Sequence, residues 1–242
     1  MRSLDYWAFA NAWRSRHPLE KLALGGSLLG LALVLPAWPA GLMILLVATG
    51  LTVLGARVPL SAYLRVLVLP GGFLAVGVLA LCLGIRAEAG PLRLVLLPEL
   101  LEPAAWQALR SLAACSCLTF IAMTTPIPEL LGVLPLPGVL VEVALTVYRL
   151  IHVAWERARA LQRAQVSRLG YGNPGRAYRS LGFMLAALLV QSLARAQRLE
   201  WGLAARNGGQ AYRARPVPYR LSAPFLGLVG ILAAAIAWWG HR

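Results

Sequence analysis

Leu22–Ala56 reads LALGGSLLGLALVLPAWPAGLMILLVATGLTVLGA, 35 residues without one charged side chain. As a single helix it would be about 52 Å long, far more than a hydrocarbon core of about 30 Å. Its middle carries Pro36-Ala37-Trp38-Pro39. Each proline removes a backbone donor, and tryptophan favours the membrane–water boundary. The run therefore predicts a hairpin of two short spans, near 19–36 and 40–56, turning at an interface.

Working outward, Val66–Ile85 predicts a third span, with Pro70-Gly71-Gly72 kinking its start. Trp106 to about Thr125 predicts a fourth, with Arg110 snorkelling to its outer end. Thr125-Pro126-Ile127-Pro128 stops that helix, because each proline disfavours helix at the residue before it. Leu221–Trp239 predicts the last span, ending in Trp238-Trp239. Between spans three and four, Glu88, Glu99 and Glu102 lie with Arg86 and Arg93, an acidic loop expected on the outer side. Within it, Leu92–Leu101 suggests a short interfacial helix.

Composition agrees with a membrane chain. Of 242 residues, 59% are hydrophobic and 13% charged, and the mean hydropathy is +0.68, which excludes an ordinary water-soluble domain. The net charge of +14 comes from 22 arginines and one lysine, Lys21. Next to spans such charge sets topology and meets anionic headgroups, so no nucleic-acid partner is expected. Cys82, Cys115 and Cys117 lie in apolar runs, where an odd number argues against a disulfide framework. Met1–His17 lacks the short apolar core of a cleavable signal. With Tyr6, Trp7, Phe9 and Trp13 among Asp5, Arg14 and Arg16 it reads as an interfacial segment.

One long polar stretch remains. Arg149–Arg220 contains thirteen arginines and only two acids, Glu156 and Glu200, which places it on the cytoplasmic side. Val139–Leu169 predicts one long helix, apolar first and basic later, stopped by Gly170 and Gly172-Asn173-Pro174-Gly175. Ala177–Ala205 predicts a second with the same order, stopped by Asn207-Gly208-Gly209. Each ends on an arginine cassette: Ser167-Arg168-Leu169-Gly170 and Ala205-Arg206-Asn207-Gly208, with the arginines 38 residues apart. A small neighbour lets a helix end enter a groove, and arginine offers a planar donor fork to a carboxylate there. Counting spans, five bring the N-terminus to the inside and the C-terminus to the outside; adding both long helices would make seven and leave the ends unchanged.

Catalytic chemistry is hard to assemble. Glu142 is the only acid well inside an apolar run, and its ordinary role is a pair with a neighbouring helix or a part in docking. His17, His152 and His241 are too dispersed for a metal site, and there is no nucleotide-binding Gly-x-x-x-x-Gly-Lys loop. No cofactor, metal site or enzymatic activity is expected. A stand-alone channel or secondary transporter would need midplane polar residues or paired broken helices, for which only Pro70-Gly71-Gly72 speaks.

Four stretches then resemble one family. His17-Pro18-Leu19-Glu20-Lys21-Leu22, Thr124-Thr125-Pro126-Ile127-Pro128-Glu129-Leu130-Leu131, Gln165–Tyr171 and Leu203–Gly208 are similar, in order, to the transmembrane T component of energy-coupling factor (ECF) transporters, in its CbiQ branch of cobalt uptake systems. This chain departs from that family's Ala-Arg-Gly signatures with Ser167 for alanine, Leu169 before the glycine, and Asn207 where glycine is usual. The resemblance implies an all-α polytopic membrane protein of about five transmembrane helices plus two long coupling helices in the cytoplasm or inner leaflet. It implies a non-catalytic subunit that docks two cytoplasmic ATPases through Ser167, Arg168, Leu169 and Gly170 and through Ala205, Arg206, Asn207 and Gly208. A substrate-specific, metal-binding membrane subunit would pack nearby, with Thr125, Pro126, Glu129, Glu142 and Arg149 as candidates. Cobalt is the implied cargo, with nickel or a vitamin as alternatives. The expected organisation is 1–128, a four-span region; 129–220, the coupling region; and 221–242, the last span, all in a bacterial inner membrane.

Overall fold

The computed structural model describes residues 4–86, 93–96, 100–133, 135–207 and 222–240. They divide into two compact units, Met1–Val133 with Val217–Arg242, and Leu134–Pro216.

The first unit holds helices α1 (Leu4–Ala10), α2 (Pro18–Val34), α3 (Leu42–Gly50, continued by a wide π turn through Gly55), α4 (Leu60–Cys82), α5 (Leu101–Thr124), α6 (Ile127–Val133) and α9 (Ala223–Gly240). The predicted hairpin is present. Helix α2 stops at Val34, Leu35 and Pro36 are extended, and Trp38 is non-helical before the chain re-enters helix. Pro36 has no N–H to return to Ala32, four residues back, so that carbonyl would be orphaned. Arg110 of α5 supplies the missing donor, its Nε lying 3.1 Å from Ala32 O. The expected snorkelling arginine is instead held by a break in another helix. Trp38 meets Trp106 with ring centroids 5.3 Å apart, so hairpin corner and α5 start share one end of the unit.

Helix α5 is central, packing on α1, α2, α3 and α4. Leu24, Leu28, Ile44, Ala113, Cys117 and Phe120 form the main core, and Val229 and Ile236 join α9 to it. Helices in lipid gain little from apolar burial, so close backbone approach matters more. Gly25 provides it: a Cβ there would run into the Ile121 side chain of α5. Polar glue adds to it. Tyr63 Oη lies 2.6 Å from Ser116 Oγ and 2.9 Å from Thr49 Oγ1, tying α3, α4 and α5 together, with each such bond contributing about 0.6–2 kcal/mol in a membrane.

Two short strands, β1 (Leu83–Arg86) and β2 (Arg93–Leu96), pair antiparallel after α4. The interfacial helix expected over Leu92–Leu101 is thus replaced at Arg93–Leu96 by a strand. Its register pairs Ile85 with Leu94 and Leu83 with Leu96, so a β-rich sequence finds a partner strand that local helical pattern could not reveal.

The second unit holds α7 (Gly138–Ser167) and α8 (Pro174–Asn207), close to the predicted long helices. Five described helical stretches are long and apolar enough to cross a membrane: Trp38–Gly55, Leu60–Cys82, Leu101–Thr124, Gly138–Ser167 and Pro174–Ala205. The number equals the expectation, but the membership differs. Both long helices qualify, whereas α2, with 17 residues, and the apolar stretch Pro224–Trp239 are shorter. The chain is an all-α, multi-pass membrane protein.

Candidate partner-docking site

The end of α7 is built by its own backbone. Arg168 follows the last helical residue with φ −95° and ψ 14°, and Leu169 turns left-handed with φ 56°. The Leu169 N–H then donates to Val166 O at 3.0 Å and the Gly170 N–H to Gln165 O at 2.9 Å. These paired bonds are a Schellman closure, which satisfies carbonyls that a helix end would otherwise strand. Glycine takes the left-handed conformation most freely. The structure gives it to Leu169, because Gly170 is needed one step later for space. A Cβ on Gly170 would sit 2.5 Å from Ser180 Oγ and 3.0 Å from Gln165 O.

Ser180 Oγ donates to Gly170 O at 3.0 Å and pins the start of α8 against the end of α7. Asn173 caps α8, its Oδ1 accepting the Gly175 N–H at 3.2 Å, with Pro174 in the first helical position where no donor is required. Ser167 Oγ turns back to Ala164 O at 2.9 Å. With the carbonyls served by backbone, the Arg168 guanidinium is exposed at the tip of the turn, and Leu169 beside it is 71% exposed.

The second cassette ends α8. Ala205 is exposed, and Arg206 and Asn207 are the last helical residues; Gly208 lies outside the described residues. Helix α8 has 34 residues and so a length of about 50 Å. Arg168 precedes its first turn and Arg206 is in its last. The two arginines therefore do not converge on one site but stand at opposite ends of one helix.

The remaining candidates separate by unit. On α7, Glu142 is half-buried and Arg149 exposed, seven residues apart and hence on one face. Thr125 and Pro126 are buried inside the first unit, and Glu129 is half-buried on α6. They form a corner that two unpredicted residues hold. Pro126 and Pro128 deprive the last carbonyls of α5 of helical partners. Asn11 Nδ2 reaches Met123 O and Thr124 O, both at 3.2 Å, and Lys21 Nζ reaches Thr124 O at 3.0 Å. A cation at a helix C-terminus also complements its dipole. Lys21 is fully buried, and the cost of burying its ammonium is offset in part by the charges of Glu129 and Glu20. Glu20 Oε1 in turn accepts from Ser222 N at 2.6 Å and Ser222 Oγ at 2.9 Å, anchoring the start of α9. One signal pointed here: Lys21 is the single lysine in a chain of arginines. Among the described residues, no three His, Cys, Asp or Glu side chains gather as a metal site would require.

The fold defines a helical, multi-pass membrane component whose second unit is a basic pair of long helices. Residues 10–217 match the model of the CbiQ family, described as a cobalt transport protein. The chain belongs to the CbiQ family. It is 40% identical over 237 residues to the cobalt transport protein CbiQ of Rhodobacter capsulatus, covering 97% of this chain and 96% of that one. It is 30% identical over 211 residues to the CbiQ of Salmonella typhimurium, covering 82% and 93%. It is also 28% identical over 205 residues to the uncharacterized protein MJ1089 of Methanocaldococcus jannaschii, covering 81% and 76%.

Proposed function

We propose that this chain is the transmembrane coupling subunit of an ECF-type ATP-driven importer, and that cobalt is its cargo. In this reading it has no catalysis of its own. Arg168 and Arg206 each dock one cytoplasmic ATPase, and the apolar first halves of α7 and α8 meet a substrate-binding membrane subunit. Motion of the ATPases passes along the helices to that subunit. Both long helices lie in the cytoplasm or the inner leaflet, with the N-terminus inside and the C-terminus outside. Cobalt comes from the names of the two CbiQ relatives; nickel or a vitamin is the alternative cargo.

The observation that carries the reading is the placement of the two arginines at opposite ends of α8, about 50 Å apart by helix length. One partner of ordinary domain size does not bridge that distance from a single groove, whereas two copies of one ATPase each meet one end. Ser167, Leu169 and Gly170 shape the first end, as Ala205, Asn207 and Gly208 do the second.

The test is co-purification with the ATPases and the substrate subunit encoded beside it. Arg168→Glu and Arg206→Glu together are expected to strip both ATPases, and either alone to lower their recovery. An intact, active complex carrying both substitutions would refute the docking assignment. Cobalt uptake by the purified chain alone in liposomes without ATP would favour a stand-alone channel instead.

A further inference from the structure

The docking reading leaves a second basic cluster unused, at the end of the first unit where α2, α3 and α9 begin or finish. The Ala12 N–H donates to Ala56 O at 3.1 Å and joins the segment before α2 to the turn after α3. Arg14 lies two residues beyond one side of that bond and Arg57 immediately beyond the other. All three arginines here, Arg14, Arg16 and Arg57, are exposed.

Two of them are held by aromatic faces. The Arg16 guanidinium lies 4.6 Å from the Phe225 ring centroid and 5.6 Å from that of Trp13. Trp13 is itself fixed, edge-on to Phe120 at 5.8 Å and to Phe225 at 6.0 Å, with its ring against the backbone of Gly55. Arg14 lies 5.7 Å over Phe9, and its Nη1 reaches Phe9 O at 3.5 Å. A guanidinium resting on ring faces keeps its in-plane N–H donors directed outward, the geometry that grips a phosphate through two oxygens.

Arg57 is held differently. Its φ is 55°, a left-handed conformation that glycine takes freely and a side chain takes at a cost. Folding alone would favour glycine here. A long cation at a strained position that contributes nothing to the core marks a place where the side chain itself is wanted. Exposed Phe9, on which Arg14 rests, adds apolar surface beside the cluster. The nearby carboxylate of Glu20 is buried against Ser222, and Asp5 lies on α1.

We infer that Arg14, Arg16 and Arg57 form a binding site for the headgroup of an anionic phospholipid. The span ends place the arginines at headgroup depth, and exposed Phe9 supplies an acyl-chain boundary that a free anion would not use. The site is independent of the docking assignment, because it lies in the other unit.

The experiment titrates the full-length purified chain in detergent with phosphatidylglycerol or phosphatidylcholine. It reads retained lipid by native mass spectrometry and thermal stabilisation in parallel. Wild type is expected to retain phosphatidylglycerol and be stabilised by it more than by phosphatidylcholine. Arg16→Gln and Arg57→Gly should each weaken phosphatidylglycerol about fivefold, the contribution of one arginine near an anionic surface. Arg57→Gly should do so while raising the melting temperature in lipid-free detergent, since it relieves the strained turn. Arg14→Gln, on an exposed side chain outside the core, gives the same loss if Arg16→Gln fails to fold. Arg198→Gln on α8 removes equal charge elsewhere and should leave retention unchanged. Equal response to both lipids, equal loss with Arg198→Gln, or full replacement of the lipid effect by inorganic phosphate would each overturn the site.

Discussion

The two units spend their polar groups in opposite ways. In the first, Asn11, Glu20, Lys21 and Arg110 are turned inward to serve backbone groups of other segments. In the second, Ser180 is the one buried residue among those described, and the arginines from Arg149 to Arg198 are exposed. Phe120, Leu28 and Ile44 are sealed within the first unit, while Val139, Ile151, Phe183 and Val190 lie open on the second. The first unit also exposes apolar surface along α4, at Val68, Leu69 and Phe73, but it seals a core, whereas the second presents apolar and basic side chains along both helices with a single buried residue among those described.

Breaking that contrast begins in the first unit. Lys21→Met keeps the length and removes the ammonium, leaving Thr124 O unserved and Glu20 and Glu129 without their cation. The loss expected is about 3 kcal/mol, the upper range for a hydrogen bond from a charged donor. It should appear as a large fall in melting temperature in detergent, with unchanged protease protection at the Gly170–Asn173 turn. A fall in both would mean that the units do not behave separately. Asn11→Ala should cost less, about 2 kcal/mol, since it strips neutral donors from Met123 O and Thr124 O. The same melting measurement checks it, and a neutral result would mean that water replaces the amide.

Much of this fold was legible in the sequence because its strongest signals are local. The uncharged run through Leu22–Ala56, the Pro36 and Pro39 break, and the stops at Pro126 and Gly170 all act on neighbouring backbone. The long helices and their arginine ends follow from the same kind of signal. What sequence could not display was the answer to each break. Pro36 orphans a carbonyl that Arg110 meets from 78 positions away, and the α5 end is met by Asn11 and Lys21 across more than a hundred residues. Such pairings exist only once the helices are packed. The separation of Arg168 and Arg206 was legible for the same local reason, because the helix predicted over Ala177–Ala205 lies between the two cassettes.

In the second unit the effects should be smaller and confined to the arm. Gly170→Ala drives a Cβ toward Ser180 Oγ and Gln165 O, so the Ser180 bond to Gly170 must give way. A cost of about 1–2 kcal/mol is expected at the turn, the range for a lost hydrogen bond with minor overpacking. Limited proteolysis between Arg168 and Arg176 should accelerate, while the melting temperature of the first unit stays within error. A matching fall in that melting temperature would show that the arm contributes to the stability of the membrane unit.

Leu169→Gly is the finest probe because its two consequences have opposite signs. Leucine at φ 56° costs roughly 1 kcal/mol relative to glycine, which the free chain does not recover, since the side chain is 71% exposed. Glycine should therefore tighten the Schellman closure, and hydrogen exchange at the Gly170 amide should slow by up to about fivefold. If Leu169 is an apolar contact beside Arg168 in an ATPase groove, the same substitution should weaken ATPase recovery while Arg206 continues to hold the second copy. Slower exchange with unchanged recovery would leave Arg168 to dock without its neighbour. Faster exchange would mean that the leucine side chain supports the turn, and that the strain at φ 56° is compensated within the arm itself.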